Sequence, residues 1–99
     1  MSLLDEVYKY LEALGSGEPI RGEVIGTDKI NDYIIDTCNT ADCGYETGIK
    51  KITGTNEWII VQRYKDAELA KKGHSIWCSM CAGNPTKAYS VQLNEYVNF

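Results

Sequence analysis

The stretch Gly73 to Pro85, G-H-S-I-W-C-S-M-C-A-G-N-P, places the single histidine of this 99-residue chain and two of its four cysteines within eight positions. An imidazole and two thiols so close together suit metal coordination, thiol redox exchange, or simple packing at a helix edge. At about 100° per residue, His74, Cys78 and Cys81 fall within roughly 60° of one another on a helix. Cys38 and Cys43 form a C-x4-C pair earlier in the chain. Together Cys38, Cys43, Cys78 and Cys81 supply the four thiolates that tetrahedral zinc accepts, with His74 as an alternative fourth ligand. Three features oppose this site, one being that the chain has the apolar residues to build a core without a metal. Zinc half-sites sit in tight turns, whereas Cys78 and Cys81 read as helical, and C-x4-C is a loose spacing. A thioredoxin-like role is opposed more strongly, because its reactive pair sits at a helix N-terminus, where the dipole lowers the thiol pKa. Cys78 and Cys81 fall near a helix C-terminus, where the dipole opposes a thiolate. The expectation is therefore no cofactor and four incidental thiols, with zinc as the alternative.

A second constellation uses acids. Asp36 and Glu46 lie on consecutive predicted strands and His74 on the helix that follows, so a carboxylate–carboxylate–imidazole cluster for acid–base work is conceivable. The plainer reading has Asp36 and Thr37 fixing a loop, Glu46 exposed and His74 at a helix edge. No G-x-S-x-G, Walker-type or G-x-G-x-x-G motif occurs, so the enzyme classes that carry those motifs gain no support.

The elements that would position these residues follow from periodicity. Residues 2–14 place Leu3, Leu4, Val7, Tyr8, Leu11 and Leu14 on one helical face, capped by Ser2 and stopped at Gly15. Four strands follow, I-R-G-E-V-I, D-Y-I-I-D-T-C, Y-E-T-G-I-K-K-I and E-W-I-I-V-Q-R-Y, with T-G-T-N as the turn between the last two. From Asp66 the period becomes helical. Leu69, Gly73, Ile76 and Met80 form the expected core line, and Gly83-Asn84-Pro85 the stop. That phase leaves His74, Cys78 and Cys81 on a stripe beside Trp77, away from the core. An interior glycine costs about 1 kcal/mol relative to alanine, so Gly73 implies a close helix–sheet approach. In the tail, Tyr89, Val91, Leu93 and Val97 alternate as one half-buried strand would. The fold expected is α+β, an antiparallel sheet of four to five strands with two helices, in the order α-β-β-β-β-α-β. Residues 1–99 form one domain, since a chain of this size has room for one core. Trp58, Trp77 and the seven tyrosines supply core area.

Net charge −4 and a pI near 4.9 oppose nucleic-acid binding, which concentrates Lys and Arg on one face. No stretch approaches the roughly 20 apolar residues of a membrane span, and the first residues lack a signal-peptide pattern, so a cytoplasmic location is expected.

Between Tyr33 and Trp77 the landmarks Y-I-I-D-T, Y-E-T-G-I, W-I-I-V-Q-R-Y and A-K-K-G-H-S-I-W follow one another. This order resembles a class of small uncharacterised proteins encoded in bacteriophages and prophages. On that resemblance Asp36, Thr37, Glu46, Thr47, Gly48, Gly73, His74 and Trp77 correspond to the pattern, and the four cysteines do not. It implies no activity. The expected function is therefore non-enzymatic protein–protein contact, with a partner protein or as a homo-oligomer, since an open sheet leaves edge strands to be covered.

Overall fold

The computed structural model describes residues 21–40 and 44–99. The expected helix over 2–14, Ile20 at the start of the expected I-R-G-E-V-I strand, and Cys43 lie outside the described residues. Four strands, β1 (Arg21–Ile30), β2 (Tyr33–Thr40), β3 (Gly44–Lys51) and β4 (Ile59–Tyr64), form one antiparallel sheet in the order β1-β2-β3-β4. A helix, α1 (Ala67–Cys81), crosses it, and a hairpin of β5 (Lys87–Ser90) and β6 (Glu95–Asn98) makes a second, two-stranded sheet. The α+β class and the antiparallel meander are as expected.

Side-chain alternation sorts the sheet into two faces. Tyr33, Ile35 and Thr37 of β2 point toward α1, and so do their register partners, Ile30 opposite Tyr33, Asp28 opposite Ile35 and Gly26 opposite Thr37. Thr37 is in turn opposite Thr47, and Ile35 opposite Ile49, on β3. On β4 the phase is reset. Thr47 pairs with Gln62 but its neighbour Gly48 pairs with Ile60, so Val61 is an extra residue in a β-bulge. The bulge lets Ile59 and Val61 enter the core while Gln62 and Tyr64 also face the helix. The core itself is Tyr33, Ile35, Ile49, Ile59, Val61, Cys81 and Ala88, with Trp77, Val97 and Phe99 packed against it.

Turns and caps fix the ends. Asn31 takes a left-handed φ of 52° in the two-residue turn between β1 and β2. Its side-chain amide donates to the Cys81 and Ala82 carbonyls, each at 3.4 Å, so this turn also satisfies the end of α1. Asp66 caps the start of α1 by accepting from the Leu69 N–H at 2.9 Å.

Two expectations need correction. The tail is a hairpin and not one strand. Asn94 donates its N–H to the Ser90 carbonyl at 2.8 Å, the Leu93 N–H donates to the Ser90 hydroxyl at 3.0 Å, and Asn94 is left-handed at φ 57°. These bonds turn the chain, and in β5 it is Ala88 and Ser90 that are buried while Tyr89 is exposed. The helix is also rotated from its expected phase. Leu69, Ile76 and Met80 are 45%, 59% and 49% exposed, whereas Ala70, Gly73, His74 and Cys81 are buried.

Gly73 does mark a close approach, because a Cβ there would overlap the Tyr64 ring and hydroxyl. Gly73→Ala raises helix propensity by about 1 kcal/mol, yet it forces Tyr64 off its hydrogen bond to Thr47, and overpacking costs roughly 1–3 kcal/mol. The substitution is expected to lower the melting temperature in calorimetry. A rise would contradict this placement of the helix.

Candidate functional site

The rotation of α1 has a polar cause. The rung of the sheet that carries Gly26, Thr37, Thr47 and Gln62, joined by Tyr64, presents hydroxyl and amide groups to the helix where the neighbouring rung presents Ile35, Ile49 and Ile59. A continuous hydrogen-bonded row satisfies them. His74 Nε2 lies 2.7 Å from Asp28 Oδ2, and His74 Nδ1 lies 2.7 Å from Thr37 Oγ1. Thr37 Oγ1 is 2.6 Å from Thr47 Oγ1, which is 2.9 Å from the Tyr64 hydroxyl. Tyr64 reaches Gln62 Oε1 at 3.3 Å, and Gln62 Oε1 accepts from Trp77 Nε1 at 2.8 Å. The row therefore leaves the helix at His74 and returns to it at Trp77.

Donors and acceptors can be assigned along the row. The Asp28 carboxylate requires Nε2–H, so in the neutral ring Nδ1 accepts from Thr37, Thr37 accepts from Thr47, and Thr47 accepts from Tyr64, whose single proton is then not given to Gln62. In the imidazolium the direction reverses, and Tyr64 donates to Gln62. Burial pushes the Tyr64 phenol above its ordinary pKa, which keeps its proton available to the row. Gly26 makes the floor of the imidazole pocket, since a Cβ there would stand 2.8 Å from His74 Nε2.

The sequence-predicted residues are distributed differently. Asp36 and Glu46 alternate with the helix-facing positions, so they belong to the opposite face of the sheet from Thr37 and Thr47. Asp36 accepts from Thr27 at 2.6 Å, and Glu46 pairs with Arg63 at 3.3 Å. The cluster of Asp36, Glu46 and His74 is thus not assembled, and the carboxylate at His74 is Asp28. Nor do the described cysteines, Cys38, Cys78 and Cys81, gather. Cys81 is in the core, Cys38 is buried at a position opposite Glu46, and Cys78 approaches Asp28 at 4.0 Å. Among the described residues, the group of potential metal ligands that converges is Asp28, His74 and Cys78. Asp28, Tyr64 and Gln62 were missed from sequence because a single acid, phenol or amide on a strand carries no motif.

The order acid, imidazole, hydroxyl in Asp28, His74 and Thr37 matches that of a nucleophile relay. Thr37 is nevertheless 0% exposed, and its oxygen is engaged by both His74 and Thr47. That oxygen is therefore closed to a substrate from solvent.

Displaced from the core by that row, the apolar line of α1 faces outward. Leu69, Ile76 and Met80 lie within roughly 40° of one another around the helix. Met80 also lines a groove of about 200 Å³, walled by Trp77, Tyr89, Tyr96 and Phe99. Tyr89 and Tyr96 meet edge to face at 5.3 Å, and Lys87 sits 5.2 Å from the Tyr96 ring centroid. This face is the candidate functional surface.

Compared with protein-family models, curated proteins and solved structures, the chain matches none.

Thiol chemistry tests the helix orientation. Burial pushes the Cys81 thiol up to about 12, and burial followed by the Asp28 charge raises Cys78 less. Native-state alkylation at pH 8, mapped by mass spectrometry, is expected to modify Cys78 while Cys81 stays protected until denaturant is added. Raising the pH to 10 should not release Cys81, because about 1% or less of a thiol with that pKa is ionised there. Equal labelling of both would contradict the burial of Cys81.

Proposed function

We propose that this is a phage- or prophage-related, non-enzymatic contact domain that pairs with a second copy of itself through the outer face of α1 and the β5–β6 hairpin. The observation that carries the reading is the exposed line Leu69, Ile76 and Met80, continuous through Met80 with the aromatic groove. Contiguous apolar surface of this kind marks interaction sites in soluble proteins. Burying one such side chain contributes roughly 1.5–3 kcal/mol.

A second copy suits this surface because the line is close to self-complementary. Leu69 and Met80 stand about 16 Å apart along the helix, with apolar Ile76 between them. Two such helices crossing antiparallel about a two-fold axis bring Leu69 of one copy to Met80 of the other, with the Ile76 side chains near the axis. Closed two-fold pairs are the commonest form of homo-oligomer. The tyrosines of the hairpin extend the contact beyond the helix, and aromatic residues are favoured at the centre of interfaces.

The resemblance to the phage-encoded class also bears on the reading. Thr37, Thr47, Gly73, His74 and Trp77 of its pattern take part in, or make room for, the row that turns the apolar line outward.

Sedimentation velocity across a concentration series is expected to show a monomer–dimer equilibrium in the micromolar range. Ile76→Glu with Met80→Glu should weaken it by at least about tenfold, equivalent to 1.4 kcal/mol. Because both positions are exposed, each change should alter stability by no more than about 0.5 kcal/mol. A chain that stays monomeric at millimolar concentration, or variants that pair as tightly as the parent, would overturn the proposal.

A further inference from the structure

The groups at the open end of the polar row do not serve the contact face. Asp28 from β1 and His74 and Cys78 from α1 offer one carboxylate oxygen, one imidazole nitrogen and one sulfur, all within 4.8 Å of one another. We propose that Asp28, His74 and Cys78 form a binding site for a single zinc-class transition-metal ion, a function separate from the pairing of copies.

Helical spacing makes the first half of the site. His74 and Cys78 are four residues apart, so their side chains stand on one face, one turn above the other. Strand β1 makes the second half, because its register with β2 turns Asp28 toward the helix, opposite Ile35. Gly26, two residues earlier on the same face, leaves room for the ring.

The imidazole is already held as a metal ligand would be. Nδ1 is bound to the Thr37 hydroxyl at 2.7 Å, and the buried row behind Thr37 fixes the plane of the ring. Such a partner on the second nitrogen is what orients metal-binding histidines. In the metal-bound form Nδ1–H donates to Thr37, and Nε2 turns its lone pair to the ion. The row accommodates this direction, since Thr37, Thr47 and Tyr64 can each donate onward as far as Gln62.

The distances are close to those required. Zinc bonds of about 2.0 Å to O and N and 2.3 Å to S put tetrahedral ligand atoms about 3.3–3.5 Å apart. The present Nε2–Oδ2 separation is 2.7 Å and the Sγ–Oδ2 separation 4.0 Å, so these two change by well under an ångström when an ion replaces the shared proton, while the imidazole and sulfur, within 4.8 Å of each other, close by at most about 1.3 Å. The Asp28 side chain is 54% exposed, which permits both the adjustment and entry of the ion from solvent. One thiolate and one carboxylate balance the charge of a divalent ion. Sulfur with imidazole selects zinc or cobalt over magnesium and calcium, which take oxygen ligands. Three protein ligands leave a fourth position to water.

This set differs from the four-cysteine alternative. It keeps Cys78 and His74, adds Asp28, and does not use Cys38 or Cys81.

Cobalt(II) is the direct probe, because a four-coordinate site with a thiolate gives intense visible absorption and a near-ultraviolet sulfur-to-cobalt band. Titration of the whole chain under reducing conditions is expected to saturate at one equivalent with both features, and zinc chloride should displace the cobalt. Cys78→Ser should abolish the sulfur band. Asp28→Asn and His74→Gln should each weaken zinc at least tenfold against a chromophoric chelator. Cys38→Ala and Cys81→Ala should leave the spectrum intact. Asp28 and Cys78 lie at the rim, so their variants are expected to keep the parental circular dichroism. Absence of a saturable cobalt spectrum, or a sulfur band that survives Cys78→Ser, would overturn the assignment. So would a band lost on changing Cys38 or Cys81 in protein that remains folded. The Ile76→Glu, Met80→Glu protein should bind cobalt normally, which separates failure of this site from failure of the contact face.

Discussion

The rest of the structure depends on one constraint: the buried hydroxyls of Thr37, Thr47 and Tyr64 on the core face of the sheet have to be accommodated by the helix above them. Thr37 and Thr47 are fully buried and Tyr64 nearly so. A buried hydroxyl without a partner costs roughly 1–3 kcal/mol. His74 and Trp77, three residues apart on α1, meet the row at its two ends and so fix the rotation of the helix as well as its distance. Gly26 and Gly73 are the steric counterpart, one clearing space for the imidazole and the other for the phenol.

The consequence is a helix whose polar and apolar stripes are exchanged relative to a simple amphipathic one. Burying Leu69, Ile76 and Met80 instead would gain roughly 1.5–3 kcal/mol each. It would set that apolar line over Thr37, Thr47 and Tyr64 and remove the His74 bond to Thr37 and the Trp77 bond to Gln62. It would also carry Ala70, Trp77 and Cys81 out of the core. The two alternatives are of similar magnitude, and the polar rung together with the glycine floors decides between them. Both functional readings arise from that decision, the contact face from what it turns outward and the metal-ligand group from what it gathers at the rim of the sheet.

Much of this was legible in the sequence, and the rest was not for identifiable reasons. The four strands of the meander follow from β-branched and aromatic runs, and α1 from its Asp66 cap and its Gly83-Asn84-Pro85 stop. Its rotation was misread because hydropathy ranks Leu, Ile and Met above His and Cys without regard to the surface beneath. A signal was present. Thr37 is in phase with Tyr33 and Ile35, and Thr47 with Ile49, so period-2 alternation alone puts two hydroxyls on the core face and calls for a polar helix partner. The same alternation shows why Asp36 and Glu46 could not join His74, since each is one residue out of that phase. The tail was misread because Ser90 and Asn94, which make its turn through local bonds, interrupt an alternation that continues across them.

The orientation of α1 is most directly read from proton–proton contacts in solution. Nuclear Overhauser spectra of the labelled protein should connect the His74 ring to the Gly26 α-protons and the Thr37 side chain, and the Tyr64 ring to the α-protons of Gly73. The Ile76 and Met80 methyls should show no contact with Thr37 or Thr47 across the sheet. Strong contacts from those methyls to Thr37 or Thr47, with the His74 ring free of the sheet, would show that the helix buries its apolar line and that the polar row does not set its orientation.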